Sequence, residues 1–316
     1  MTADEPVVIF SDQHKGARDG ADDFQRCERG YNAALAYYHR LGYHLVELGD
    51  VEELWENSYE EVAKNYPTTL RLAAAFQKAG RYTRIFGNHD IAWKDTELFQ
   101  ELMGGHGYRD VVPIEALRLN IQSAADKSVV ELFLAHGHQG TGTSDRFWRL
   151  SRFSVRHGWR RLQALVNRPW NTPSMDWKLR GEHAEDMASW ARKRGLVLIA
   201  GHTHMPVFFE SQNEPVLPGE NGAAAAGGGR ETETEALRLA RAEWAKAELE
   251  RLVHQQPIEL KGPWYFNSGC CSYGDGDITG IEIRDDRIWL VRWACEPETE
   301  PEELANLELS KLAPPP

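Results

Sequence analysis

The sequence lacks the features that mark several protein classes. Only four of its 316 residues are cysteines, without the spacing of a metal or disulfide motif, which excludes a disulfide scaffold and favours a reducing compartment. No apolar run approaches the roughly 20 residues that a membrane-spanning helix needs. The first residues carry no basic segment ahead of an apolar one, so we expect no signal peptide and a cytoplasmic protein.

Positive charge is also scarce over most of the chain. The formal net charge is −12, so the surface as a whole does not favour nucleic acid. Residues 139–195 differ, because they hold 12 Arg and Lys against five Asp and Glu, together with five of the 11 tryptophans. We expect a basic helical cap there, with Arg146, Arg149 and Arg156 binding an anionic substrate. An ordinary solvated helix face is the equal alternative for these arginines.

Short apolar runs alternate with helical patterns along much of the chain. This alternation predicts an α/β fold. The apolar runs lie at 7–10, 44–48, 82–86, 129–135 and 196–200, and helical spacing covers 24–41 and about 58–79. Further β segments, expected to pair antiparallel, lie at 207–210, 264–267, 278–283 and 287–293.

Two other segments depart from this pattern. Residues 211–262 contain an Ala and Gly stretch followed by a charged helix at about 231–254, and we expect a flexible and helical insertion. That helix is either a solvated surface helix or a binding site for a protein partner. Residues 296–316 hold six glutamates and end in three prolines, which predicts an acidic disordered tail behind a domain of residues 1–295.

Polar residues follow five of the apolar runs directly. They are Asp12 and His14, Gly49 and Asp50, the run from Gly87 to Asp90, His136 to His138, and Gly201 to His204. Because the ligands of an α/β sheet bind beyond the carboxyl ends of its strands, we expect these clusters to converge on one site. Mixed Asp, Asn and His ligands suit Mn, Fe or Zn. A set of seven such ligands is too large for one ion and about right for two ions that share a carboxylate and hold a phosphoryl group.

This ordered set of clusters resembles the calcineurin-like metallophosphoesterase superfamily over about residues 7–293. The motifs that carry the resemblance are Asp12-x-His14, Gly49-Asp-x-x-Glu53, Gly87-Asn-His-Asp90, a histidine after a strand, and Gly201-His-x-His204. The resemblance implies a two-sheet α/β sandwich flanked by helices. It also implies a dinuclear metal site, with Mn expected and Fe or Zn as alternatives.

The resemblance further implies a ligand set for each metal ion. The first ion would be held by Asp12, His14 and His204, and the second by Asn88, His136 and His202. Asp50 would bridge the two ions. His136 is preferred to His138 as the ligand because it follows the apolar strand directly.

The residues beside the proposed metal ligands are assigned roles by the same resemblance. His89 would contact the phosphate and protonate the leaving oxygen, a contribution of about 10²–10⁴-fold. Asp90 would orient His89, and Glu53 would play a similar supporting part.

The predicted function is a metal-dependent phosphoesterase acting on a phosphate ester, a phosphodiester or a pyrophosphate. Locally, Gly49-Asp-Val-Glu-Glu-Leu-Trp55 resembles the UDP-2,3-diacylglucosamine diphosphatase branch, which has arginine where this chain has His89. A nuclease that stacks single-stranded nucleic acid on the tryptophans of the cap is one alternative. A phosphoprotein phosphatase and a metal-dependent scaffold for a protein partner are the others.

Overall fold

The fold is built from two β-sheets with helices on their outer faces. The computed structural model describes residues 5–123, 127, 129–138, 177–208, 265–296 and 300–312. The helices are α1 (Phe24–Arg40), α2 (Tyr59–Asn65), α3 (Pro67–Lys78), α4 (Thr96–Met103) and α5 (Trp177–Arg194). The strands are β1 (Val7–Phe10), β2 (His44–Leu48), β3 (Tyr82–Ile85), β4 (Ala116–Gln122), β5 (Val129–Ala135), β6 (Val197–Ala200), β7 (Pro206–Phe208), β8 (Tyr265–Ser268), β9 (Ile278–Arg284), β10 (Arg287–Trp293) and β11 (Glu302–Glu308).

The strand order places β1 and β6 inside their sheets. One sheet has the order β11-β10-β9-β1-β2-β3, and the other has the order β4-β5-β6-β8-β7. In the first sheet β1, β2 and β3 run parallel, while β9, β10 and β11 pair antiparallel. In the second sheet β5, β6 and β8 run parallel. The predicted two-sheet α/β sandwich is therefore confirmed.

Side chains along β1 alternate between two cores. Val8 and Phe10 pack against α1, α3 and α4 in one apolar cluster. Val7 and Ile9 face the other way, into a cluster between the two sheets. A third cluster joins α5 to the outer face of the second sheet, so both faces of each sheet are covered. This double burial explains why β1 and β6 are continuous apolar runs.

The single helical stretch expected at about 58–79 is two helices. Ser58 caps α2 through a reciprocal pair of hydrogen bonds with Glu61. α2 ends before Tyr66, and Pro67 starts α3. Proline has no N–H to continue an incoming helix but suits the first position of a new one, which explains the break.

The predicted disorder of residues 296–316 was wrong for the part that forms β11. This strand pairs antiparallel with β10 and adds an edge to the first sheet. Leu307 and Leu309 are buried in the core between the sheets. The glutamates lie opposite arginines, with Arg284 bound to Glu303 at 2.5 Å. An excess of acidic residues therefore predicts disorder only where no arginines of neighbouring strands are present to balance their charge.

The burial of Leu307 makes the pairing of β11 testable. We expect Leu307→Ala to lower the free energy of unfolding by about 2–4 kcal/mol, because the residue is 1% exposed. Urea denaturation measures this loss. Leu41→Ala is the control, since Leu41 is 49% exposed and should change stability by less than about 0.5 kcal/mol. Equal small effects of the two substitutions would contradict the pairing.

The two predicted insertions lie largely outside the described residues. Of the basic cap at 139–195, the structure describes the end, where α5 packs on β6 through Met187 and Ala191. Arg146, Arg149 and Arg156 lie outside, and so does the insertion at 211–262. Within the described residues, no helix combines the length and the apolar character that crossing a membrane demands.

Candidate metal centre

The loops that follow five strands contact one another at one edge of the sandwich. The backbone N–H of Asp12, after β1, donates to the carbonyl of Gly49, after β2, at 3.1 Å. The backbone N–H of Gly201, after β6, donates to the carbonyl of His136, after β5, at 3.0 Å. The backbone N–H of His89, after β3, donates to the carboxylate that follows β2. The predicted convergence of the polar clusters is confirmed.

The first cluster is formed by Asp12, His14 and His204. One potential ligand atom from each lies within 4.8 Å of the others. The Nε2 atom of His204 is 3.2 Å from Oδ1 of Asp12 and 3.1 Å from Nε2 of His14. This set matches the ligands expected for the first metal ion.

The second cluster is formed by Asp50, His136 and His202, under the same distance limit. The Nε2 atom of His136 lies 3.0 Å from Oδ2 of Asp50. Its Nδ1 atom donates to the carbonyl of Leu48 at 2.8 Å, which leaves Nε2 to face the carboxylate. The structure therefore brings His136 to the site as a potential ligand, as the sequence predicted in preference to His138.

The two clusters adjoin. Oδ2 of Asp50 lies 3.8 Å from Nε2 of His14 in the first cluster. In the other direction, Nε2 of His136 lies 3.9 Å from Oδ1 of Asp12. Asp50 therefore lies between the two sets, as a shared carboxylate must.

Asn88 has a buried amide oxygen that fits a cation. Its side-chain Oδ1 is buried and has no hydrogen-bond partner within the described residues. A buried acceptor left without a donor costs about 1–3 kcal/mol. A divalent cation would satisfy this oxygen, so the donor set of the site fits metal binding.

The potential ligands share an unusual backbone conformation. Asp12, His14, Asp50, His202 and His204 have φ values between 48° and 70°. Residues with a side chain rarely adopt this left-handed region, and each instance costs of order 1 kcal/mol. Strain concentrated in five of seven potential ligands indicates that the loops are held for a function.

Two glycines allow the loops to approach closely. A Cβ atom on Gly87 would lie 2.2 Å from Oδ1 of Asp50. Gly49 has a φ of +87°, and a Cβ there would lie 2.5 Å from the ring of His136. No other residue fits at either position without displacing a potential ligand.

The electrostatics keep the carboxylates ionised. Burial alone would raise the pKa of Asp12, but His204 and His136 outweigh it and hold this pKa below its ordinary value. The pKa of Asp50 is lowered for the same reason by His136 and His89, against the effect of burial. Two buried carboxylates surrounded by imidazoles form a site that is ready for cations.

Glu53, rather than Asp90, contacts the imidazole of His89. Its Oε2 atom lies 2.5 Å from Nδ1 of His89 and 3.2 Å from Nδ1 of His14. Burial would raise the pKa of Glu53, but His89 and His14 lower it to about 2. The prediction that Asp90 orients the His89 ring was therefore wrong, and the supporting part expected of Glu53 is the one that the structure shows.

Asp90 instead joins the loops after β2 and β3. Its carboxylate accepts from the backbone N–H of Gly87 at 2.6 Å and of Val51 at 3.0 Å. It is also bound by the guanidinium of Arg84 at 2.8 Å. Asp90 thus fixes the chain on both sides of the site without touching the His89 ring.

A buried charged network lies beneath these loops. Arg84 is fully buried and binds Glu47, Glu52 and Asp90. Lys15 is also buried and lies 3.1 Å from Glu52. The network therefore links the loop after β1 to the loops after β2 and β3.

Several residues of this network carry no role in the predictions from the sequence. A charged residue within an apolar parallel strand is itself a signal of a buried pair, and both Glu47 and Arg84 lie in such strands. Asn267 on β8 was also missed. Its amide donates to the carbonyl of Gly201 at 2.7 Å and to Oγ1 of Thr203 at 3.1 Å, and so supports the histidine loop from a strand distant in sequence.

Comparison with known proteins gives one family match. The sequence pattern of the calcineurin-like phosphoesterases matches residues 5–206, a range that contains all seven potential metal ligands. No protein of curated function matches this chain significantly.

Several solved structures are similar to this chain. A conserved uncharacterised protein of Streptococcus pneumoniae, described as a predicted phosphoesterase, is 11% identical, with a TM-score of 0.37 and coverage of 96% of this chain and 97% of that chain. Vacuolar protein sorting 29 of Cryptosporidium parvum is 12% identical, with a TM-score of 0.37 and coverage of 96% and 98%. A dimetal phosphatase of Danio rerio is 11% identical, with a TM-score of 0.35 and coverage of 95% and 98%.

Proposed function

Because the chain belongs to the calcineurin-like phosphoesterase family and is therefore a metal-dependent phosphoric ester hydrolase, we propose that its site holds two divalent ions. The substrate that we propose is a phosphate ester, a phosphodiester or a pyrophosphate. The observation that supports this most is the pair of adjoining clusters, Asp12–His14–His204 and Asp50–His136–His202. Asn88 belongs to neither set, and we propose its buried Oδ1 atom, which has no hydrogen-bond partner within the described residues, as a further oxygen ligand.

We propose the division of the seven side chains between the ions that the family resemblance implies. Asp12, His14 and His204 would hold one ion, Asn88, His136 and His202 the other, and Asp50 would contact both. We propose Mn, with Fe or Zn as alternatives, because mixed oxygen and imidazole ligands suit these ions. When bound, such ions polarise phosphoryl oxygens and lower the pKa of water.

His89 is the proposed proton donor to the leaving oxygen. Its Nδ1 atom is held by Glu53, so Nε2 is the ring nitrogen left to face a substrate. Its side chain is 25% exposed, whereas the potential ligand His136 is fully buried. His89 also forms a third group of potential ligand atoms with His14 and Glu53, and metal content therefore has to be measured when its role as proton donor is tested.

The test uses two chromogenic esters. Metal-free protein is supplied with Mn²⁺, and hydrolysis of bis-p-nitrophenyl phosphate is compared with hydrolysis of p-nitrophenyl phosphate. We expect metal-dependent release from at least one of them, and the preferred compound separates diester from monoester specificity. Two bound ions with no release from either ester, or from a panel of pyrophosphates, would contradict the proposed activity.

His89→Ala tests the proposed proton donor. We expect turnover of an ester with a basic leaving group, such as phenyl phosphate, to fall by about 10²–10⁴-fold, because a general acid typically contributes that much. Metal content, measured by elemental analysis, should stay near two ions per chain. His106→Ala is the control, because His106 is an exposed histidine outside both clusters. Metal loss in His89→Ala would instead make His89 a ligand.

A further inference from the structure

We propose that Trp55 is a positioning residue for His89, fixing the plane of the imidazole that donates the proton. The proposal rests on the proposed function, and it is carried by three separate contacts of one residue. Trp55 lies in the loop after β2, two residues beyond Glu53, and is half-buried.

The first contact is a stack between two rings. The indole of Trp55 and the imidazole of His89 lie 4.1 Å apart between centroids, with an angle of 18° between their planes. Most other aromatic pairs of the described residues are edge-on or tilted, as with His14 and His89 at 87°. A parallel stack restricts rotation of the imidazole about χ2, which in an exposed histidine is broadly distributed.

The second contact fixes the backbone that carries the imidazole. The indole N–H of Trp55 donates to the carbonyl of Asn88 at 2.7 Å. That carbonyl belongs to the peptide that leads directly into His89. The N–H of the same peptide belongs to His89 and donates to Oδ1 of Asp50 at 2.8 Å. Both polar atoms of the peptide are therefore held.

The third contact fixes the partner of the imidazole. The backbone N–H of Trp55 donates to Oε1 of Glu53 at 3.1 Å. This leaves Oε2 of Glu53 to bind Nδ1 of His89. Trp55 thus makes three contacts that fix the imidazole of His89. Its indole stacks on the imidazole, its indole N–H binds the peptide before His89, and its backbone N–H binds Glu53, the carboxylate partner of His89.

The contacts predict which substrates depend most on Trp55. A proton donor matters most when the leaving oxygen is strongly basic and little when the leaving group departs easily. Loss of the stack should therefore slow esters of phenol, whose hydroxyl has a pKa near 10, more than esters of p-nitrophenol. A residue needed only for folding would slow both esters equally.

The experiment compares Trp55→Ala and Trp55→Phe with the wild-type protein on phenyl and p-nitrophenyl esters. We expect Trp55→Ala to lower kcat at least about tenfold for the phenyl ester, part of the gain that a general acid supplies, and less than about threefold for the p-nitrophenyl ester. Trp55→Phe keeps an aromatic ring but loses the indole N–H, so its kcat for the phenyl ester should lie between those of the wild type and Trp55→Ala. Trp289→Phe is the control, since Trp289 is a half-buried tryptophan on β10 outside the site.

A second readout does not require turnover. In the zinc-loaded protein, the stacked indole should shift the ring protons of His89 upfield in NMR spectra, and Trp55→Ala should remove this shift while leaving the metal content unchanged. The absence of the shift in the wild type, or equal slowing of both esters by Trp55→Ala, would overturn the positioning role. A wild-type protein that shows the shift but hydrolyses no ester would overturn the proposed function and leave the orientation of His89 by Trp55 established.

Discussion

Turnover is expected to fall by on the order of 10³-fold when Asp50 is replaced by asparagine, since several kcal/mol of charge stabilisation depend on the metal pair. Asp50 lies between the two potential ligand clusters, 3.0 Å from Nε2 of His136 and 3.8 Å from Nε2 of His14. Asparagine has nearly the same shape but no charge, and it cannot hold two cations at one oxygen. Steady-state kinetics measure the loss of turnover, and elemental analysis of the same preparation measures the loss of bound metal.

Asp110→Asn is the matched control for this substitution. Asp110 also has a left-handed backbone, with a φ of 69°, but it is exposed and lies outside both clusters. It should keep the activity and metal content of the wild type. If Asp50→Asn also retained both, Asp50 would not be the shared ligand and the assignment of two ions would be wrong.

The largest effect on stability is expected from Arg84→Met. Arg84 is fully buried among Glu47, Glu52 and Asp90, so its loss leaves three buried carboxylates with Lys15 as the remaining cation of the described network. Breaking a buried ion pair from one side typically costs about 3–5 kcal/mol. Urea denaturation near neutral pH should show a loss of this size.

The pH dependence of this loss separates charge from packing. In the wild type, burial raises the pKa of Glu52, but Arg84 and Lys15 lower it to about 2. Its ionised form therefore stabilises the fold above the ordinary pKa of 4.5, and this contribution is lost as the pH falls towards 2. Without Arg84 the buried carboxylates should bind protons more readily, so the difference between variant and wild type should shrink as the pH is lowered from about 8 to about 5.

Arg118→Met is the control for this experiment. Arg118 is 68% exposed and lies 3.4 Å from Glu131 across β4 and β5. An exposed ion pair contributes only about 0–1 kcal/mol to the free energy of unfolding. A loss for Arg84→Met that is no larger than for Arg118→Met would show that the buried network does not stabilise the fold.

The sequence predicted the convergence of the site because its residues follow a simple rule. Each potential ligand follows an apolar strand, and strand ends meet at one edge, so Asp12 and His204 could be placed together although they are 192 positions apart. The strands β1 and β6 were equally plain, since burial on both faces gives them uninterrupted apolar runs.

Contacts that depend on three-dimensional neighbours could not be predicted in this way. The family resemblance implied that Asp90 orients His89, but the guanidinium of Arg84 holds the Asp90 carboxylate elsewhere. Glu53 reaches His89 across 36 positions instead. The disorder expected near the acidic end failed for the same reason, because the arginines that balance Glu303 and Glu308 lie on other strands.

The strand order also sets when the protein can fold during synthesis. β1 needs β9 as its antiparallel neighbour, and β8 fills the place between β6 and β7. A ribosome adding roughly 5–20 residues per second takes tens of seconds to travel from β1 to β9. Throughout that interval the nascent chain exposes the flank of β1 and an incomplete second sheet. We therefore expect the emerging polypeptide, rather than the finished one, to depend on chaperones.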